Sequence, residues 1–284
     1  MSTINVNGAT LYHELRGEGP PLLCIAGATG DAGYFSGLAE ALSDEYTVLT
    51  YDRRANSRSP RPDGWTTAPT AEQAADAAAL LSALNLAPSL VLGHSSGAVI
   101  LTDLAIRRPD RVNGVIFYEP PYVAATSQAD AVTAGLTGLI EQGFARGGPG
   151  AAVEDFLRYA CGDAAFATFT PELLDRCRAN GEVTFGMEMS EVMAYQPDPA
   201  ALKQVTMPKV VIAGTENRAP DAPMHWIYEA SQCFAGQLGV PLLETPGAHA
   251  PQATHLAEFV ATLRPVLKGM TARTRVAAPP PSPA

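Results

Sequence analysis

The sequence predicts an α/β fold, with a mostly parallel sheet flanked by helices. Three observations lead there. A short continuous apolar run at residues 22–25, as expected of a central strand covered on both faces, and a further buried strand at 112–118 alternate with helical stretches over the first 120 residues. From Pro121 to about Val205 strand-like runs vanish, and the alternation resumes at Lys209. The 284 residues are 46% apolar and 17% charged, which is enough to bury a real core.

Taken in order, residues 11–15 read as a strand that enters a Gly- and Pro-containing turn at 16–20. Residues 22–25 form a central strand and stop in the glycine-rich bend 26–30. A helix fits 34–42, and 46–51 is β-branched and aromatic enough for a strand. After the polar stretch 52–64, Thr70 and Gln73 have the spacing of a capping box, ahead of an alanine-rich helix that reaches Leu86. A strand at 89–93, a helix at 97–108 stopped by Pro109 and a strand at 112–118 follow. Residues 121–205 read as a helical insertion, with helices such as 151–159 and 172–179 between Gly and Pro breaks. Then come a strand at 209–213, a helix at 224–238, a strand at 240–244 and a final helix at 252–267. The expected organisation is a core of 1–120 and 206–268, an insertion of 121–205, and a disordered tail of 269–284 that holds four prolines in its last eight residues.

Charge narrows the functions. The formal net charge is −10, and so acidic a surface repels phosphate backbones and anionic lipid. A small-molecule substrate is expected, with no nucleic acid and no membrane as partner; a homodimer is left open. No apolar run approaches the roughly 18 residues of a membrane span. The first residues lack the basic and apolar regions of a secretory signal, so a cytoplasmic location is expected. Cys24, Cys161, Cys177 and Cys233 are scattered without a two-residue gap, and each is expected to be a core thiol. Histidines 13, 94, 225, 249 and 255 show no metal-ligand spacing. No metal and no cofactor are expected.

Chemistry concentrates in Gly93-His94-Ser95-Ser96-Gly97, a G-x-S-x-G string. The string alone is weak, but it closes a buried strand and opens a helix. Such a turn needs small residues on either side, lifts the Ser95 hydroxyl above the sheet edge, and aims the Ser96 N–H at a developing oxyanion. A serine hydroxyl near neutral pH needs an imidazole to take its proton. His249, in the loop Pro246-Gly247-Ala248-His249, is preferred to His255, which falls within the final helix. His94, beside the nucleophile, reads as a packed histidine.

With these residues in place, the layout resembles the α/β-hydrolase superfamily over about residues 1–268, with the helical insertion at that family's cap position. Asp52-Arg53-Arg54-Ala55-Asn56-Ser57-Arg58-Ser59 is similar to the family's D-x-R-G-x-G-x-S segment, with Ala55 and Ser57 in place of glycines. Ala26-Gly27-Ala28 matches the His-Gly-x that many members carry, and the resemblance implies that the Ala28 N–H is the second oxyanion donor. The family's usual acid position, four residues past the strand at 210–213, holds Asn217. An amide orients an imidazole but cannot stabilise its cation as a carboxylate does. Glu216 is one position off, and Asp221 reads as a helix N-cap. Glu119, at the end of the strand 112–118, sits where haloalkane dehalogenases and some other members place their acid. The resulting expectation is a serine hydrolase for a small or medium, largely apolar ester, lactone or thioester. Ser95 is its nucleophile, His249 its base and Glu119 its acid. C–C bond hydrolysis or cofactor-free oxygenation on the same triad stays open. So does a non-catalytic binder, which Asn217 favours.

Overall fold

The computed structural model describes residues 2–277, with side chains to residue 273. Its sheet has eight strands: β1 (Ser2–Val6), β2 (Ala9–Arg16), β3 (Pro21–Ile25), β4 (Thr47–Tyr51), β5 (Ser89–His94), β6 (Val112–Tyr118), β7 (Lys209–Gly214) and β8 (Leu242–Thr245). They lie in the order β1-β2-β4-β3-β5-β6-β7-β8. β1, β2 and β4 pair antiparallel, and the remaining neighbours pair parallel. β5 is buried at every position, as its apolar run required.

The helices are α1 (Ser36–Leu42), α2 (Thr70–Ala83), α3 (Ser96–Arg107), α4 (Ala129–Phe166), α5 (Pro171–Ala179), α6 (Gly181–Val183), α7 (Met189–Ala194), α8 (Pro199–Leu202), α9 (His225–Leu238), α10 (Pro251–Thr254) and α11 (Leu256–Ala277). One face of the sheet buries Val91, Val115, Phe117 and Val211 against Ala77, Leu81, Leu101 and Phe234 of α2, α3 and α9. The other buries Leu22, Leu92, Ile116 and Ile212 against Leu38, Phe259 and Leu263 of α1 and α11. Each such large side chain contributes about 1.5–3 kcal/mol on burial. Between β6 and β7 the described residues form no strand. Their helices share a third apolar cluster, in which Leu136, Val153 and Leu157 meet Met224, Trp226 and Ile227 from the start of α9. α4 is broken at Gly147, Gly148 and Gly162, with Pro149 inside it, so its axis turns instead of running straight across the molecule.

Four expectations change. Thr70 opens α2, but it makes no capping box: its Oγ1 has no partner, and Gln73 Oε1 instead accepts from Arg53 Nε at 3.1 Å. That helix also ends at Ala83, short of Leu86. The last helix continues through residues 269–277, where a disordered tail was expected, because Leu263, Leu267 and Met270 extend its buried stripe against the sheet; residues 278–284 lie outside the described residues. Asp221 caps nothing, since α9 starts after Met224.

Candidate active site

Ser95 stands between β5 and α3 with φ 54° and ψ −126°, a left-handed conformation that costs a non-glycine residue on the order of 1–3 kcal/mol. Its backbone N–H donates to Tyr118 O at 2.9 Å, tying the turn to β6. The flanking glycines are required by contact. A Cβ on Gly93 would lie 2.6 Å from Gly97 O, and one on Gly97 only 2.2 Å from Ile25 O. A Cβ on Gly27 would stand 2.9 Å from both Ser95 Cβ and His94 Nδ1, so the 26–30 bend reaches the turn only because Gly27 has no side chain.

His249 lies on the loop between β8 and α10 and is 3% exposed. Three contacts hold that loop. Tyr118 Oη donates to Ala248 O at 2.6 Å, His94 Nε2 meets His249 O at 2.6 Å, and Glu216 N donates to Gly247 O at 3.1 Å. His94 is therefore a packed histidine, stacked on Tyr118 with ring centroids 5.6 Å apart. Burial, reinforced by His249 beside it, holds its pKa well below the usual imidazole value. A neutral His94 has one N–H to give, and His249 O takes it. His255 lies at the break between α10 and α11, not inside a helix as expected; its Nε2 is 3.6 Å from Glu216 Oε1.

Glu119 is fully buried, with φ 44°. Its Oε2 is 2.6 Å from His249 Nδ1, and its Oε1 accepts from Gly214 N at 2.9 Å. Asn217 Nδ2 donates to Oε1 at 2.9 Å and to Oε2 at 3.1 Å. A carboxylate buried in this way is tolerable because each oxygen is matched by donors. If Nδ1 of His249 carries the proton toward Glu119, Nε2 is left with a free lone pair. Glu216, by contrast, points outward with a side chain 56% exposed. The strand end after β6 meets the histidine, and the strand end after β7 supports the carboxylate.

Ser95 and His249 together line two small adjoining cavities. The first includes Ala28, Thr29, Tyr34, Cys161 and Cys177 and leaves ≈ 20 Å³ for the centres of water-sized molecules. The second includes Ala28, Ser96, Tyr159, Met193, Trp226 and Ile227 and leaves ≈ 30 Å³. Ala28 belongs to both, and Phe156 and Ala160 of α4 divide them. Burial pushes the Cys161 and Cys177 thiols up to about 12, so neither is a nucleophile near neutral pH. Cys233 is exposed, contrary to the core placement expected of it, because it falls on the outer side of α9. Among the described residues no group of His, Cys, Asp or Glu is arranged to hold a metal ion, and no helix is long and apolar enough to cross a membrane. Sequence reasoning missed Trp226 and Ile227, which line the second cavity from α9, outside the 121–205 insertion. It also missed Tyr118, whose hydroxyl continues a run that reads only as a buried strand.

Residues 20–154 match the family model described as the alpha/beta hydrolase fold. The chain is 29% identical over 269 residues to the uncharacterized hydrolase YraK of Bacillus subtilis, covering 94% of this chain and 95% of that protein. It is 36% identical over 107 residues to a putative carbamate hydrolase, RutD, of Azorhizobium caulinodans, covering 38% of this chain and 40% of that one. Among solved structures, a thermophilic esterase from Thermogutta terrifontis superposes with a TM-score of 0.72 at 21% identity, covering 95% and 99% of the two chains. The chain has the α/β-hydrolase fold.

Proposed function

We propose that this hydrolase-fold protein is a serine hydrolase that cleaves a small, largely apolar ester, lactone or thioester through an acyl-enzyme. The observation that carries the reading is the buried pair of His249 Nδ1 and Glu119 Oε2 at 2.6 Å, beside a serine held at positive φ in the same cavities. Ser95 Oγ attacks the carbonyl carbon while His249 Nε2 takes its proton. Glu119 stabilises the imidazolium that forms, and the N–H groups of Ser96 and Ala28 receive the oxyanion. His249 passes the proton to the leaving alcohol or thiol, then removes one from the water that releases the acid. A non-catalytic binder loses its main argument here, since the amide at Asn217 serves a carboxylate and does not replace one.

Cavity size and lining direct the choice of substrate. Each lobe holds about one or two waters' worth of centres, and the helical segment supplies Phe156, Tyr159, Met189 and Met193 to the walls, acting as a cap. p-Nitrophenyl acetate should therefore be turned over faster than the butanoate, and the octanoate slowest. The test of the reading is covalent labelling. A fluorophosphonate should add one phosphonyl group to wild type and none to Ser95→Ala; equal labelling of the two proteins would overturn it.

A further inference from the structure

Arg53 follows β4 in a polar stretch, yet its side chain is 2% exposed. Nη1 donates to Ala26 O at 2.8 Å and to Gly27 O at 2.7 Å. Nη2 donates to Glu188 Oε2 at 2.8 Å and Nε to Gln73 Oε1 at 3.1 Å. Asn56 Nδ2 holds the other oxygen of Glu188 at 2.9 Å. The neighbouring Arg54 turns the opposite way, to Asp76 and Asn7 O. An ion pair between the core and the helical segment would need Glu188 alone. The two bonds to successive backbone carbonyls need a different explanation.

Those carbonyls belong to the loop that carries Ala28. Gly27 C=O and Ala28 N–H are two edges of one peptide plane, and in a trans peptide they point in opposite directions. Gly30 N also donates to Gly27 O, at 3.2 Å, and the shorter bond from the cationic Arg53 joins it in fixing which way the Ala28 N–H points. The Arg53 bond also draws electron density toward the oxygen, which makes the N–H on the far edge a stronger donor. Only a planar fork can bond two adjacent carbonyls and a carboxylate from one buried position, so lysine is not an equivalent.

We infer that Arg53 is a positioning residue for the oxyanion site: it orients and polarises the Gly27–Ala28 peptide so that the Ala28 N–H faces the oxygen of a carbonyl attacked by Ser95. The inference rests on the serine-hydrolase reading. Glu188, in the π-helical turn Thr184–Glu188, holds the guanidinium from its other side, so the helical segment contributes to the alignment.

The test uses the full chain with Arg53→Lys, Arg53→Met and the double variant Arg53→Met/Glu188→Met. The double variant removes both buried charges, so it folds without a stranded carboxylate. Melting temperature reports folding, and fluorophosphonate stoichiometry counts competent sites. Per competent site, kcat on p-nitrophenyl acetate should fall about 10- to 100-fold in both Met variants, with KM within about threefold; deleting a whole oxyanion donor costs about 10²–10³. Affinity for an aryl trifluoromethyl ketone, which takes up Ser95 as an anionic hemiketal, should fall by the same factor. Affinity for the matching methyl ketone should hold, and Arg53→Lys should recover part of the loss. Full kcat per site in the folded double variant would overturn the inference and leave the serine reading standing. A wild type that is neither labelled nor active would overturn both.

Discussion

The ends of β6 and β7 lie side by side, and they divide one task between them. β6 runs into Glu119, whose buried carboxylate meets His249 Nδ1 at 2.6 Å. β7 ends at Gly214 and runs into a short 3-10 turn, Thr215–Asn217; the Gly214 N–H and the Asn217 amide both donate to that carboxylate. A carboxylate at Asn217 would place two like charges within hydrogen-bond distance in a buried site, and one of them would have to take up a proton. The amide at β7 is thus the counterpart of the acid at β6. One strand end supplies the carboxylate and the other supplies the hydrogen-bond donors to it.

The comparison can be broken at its centre by removing the group that both ends serve. His249→Ala should lower kcat on p-nitrophenyl acetate by about 10⁴ or more, because triad members act as a unit. Melting temperature should fall less than the activity suggests, since the loop is also held through the backbone oxygens of Ala248 and His249. Steady-state rates and a thermal melt check this together.

Asn217→Ala sharpens the comparison. Gly214 N–H remains on Oε1, so kcat should drop only about tenfold. Stability should fall by about 1–3 kcal/mol, because a buried carboxylate loses two donors. Urea unfolding gives the second number. Asn217→Asp alone should be worse than Asn217→Ala for activity, since it sets a second carboxyl against Glu119.

A smaller effect separates the histidine loop from the strand ends. His94, packed among Tyr34, Tyr118 and His249, has its pKa held well below the usual value by burial. The unfolded chain protonates this ring below about pH 6.5 where the folded chain does not. Its contribution to stability is therefore complete above about pH 6.5 and is lost as pH falls below it, by at most about 1.4 kcal/mol per pH unit. His13, also lowered by burial, acts in the same sense. Melting temperatures from about pH 8 down to about pH 5 should decline in wild type and decline less steeply in His94→Gln.

What the residues disclosed in advance follows from how local each cause is. The turn at Ser95 was legible because both of its glycines lie within two residues of the serine, although the contact that demands Gly97 comes from the distant Ile25 O. Glu119 was legible as a carboxylate at the mouth of a central strand, the end of the sheet where ligands bind. Asn217 was readable only as a gap in the expected pattern; its bond to Glu119 joins residues 98 apart. Arg53 and Gln73 escaped for the same reason. A charged residue in a polar run reads as solvated, and Gln73 reads as a capping partner until a distant guanidinium claims its oxygen. Ala55 and Ser57 show the opposite case, adopting φ 62° and 50° where the resembling segment has glycines, so the turn survives at the cost of some strain.

The central claim is that the carboxylate of Glu119, not the amide of Asn217, stabilises the charged His249. Turnover of p-nitrophenyl acetate by Glu119→Gln, corrected for folded protein, addresses it most directly. That variant keeps the size of the side chain and an oxygen for Gly214 N–H, removes the charge, and turns the acceptor that faces His249 Nδ1 into a donor. The account predicts that kcat falls about 10²–10⁴-fold, by analogy with the Asp-to-Asn change in a serine protease triad, and that adding Asn217→Asp restores part of it. Full activity in Glu119→Gln, with Asn217→Ala inactive, would contradict the account and place the orienting role on the amide.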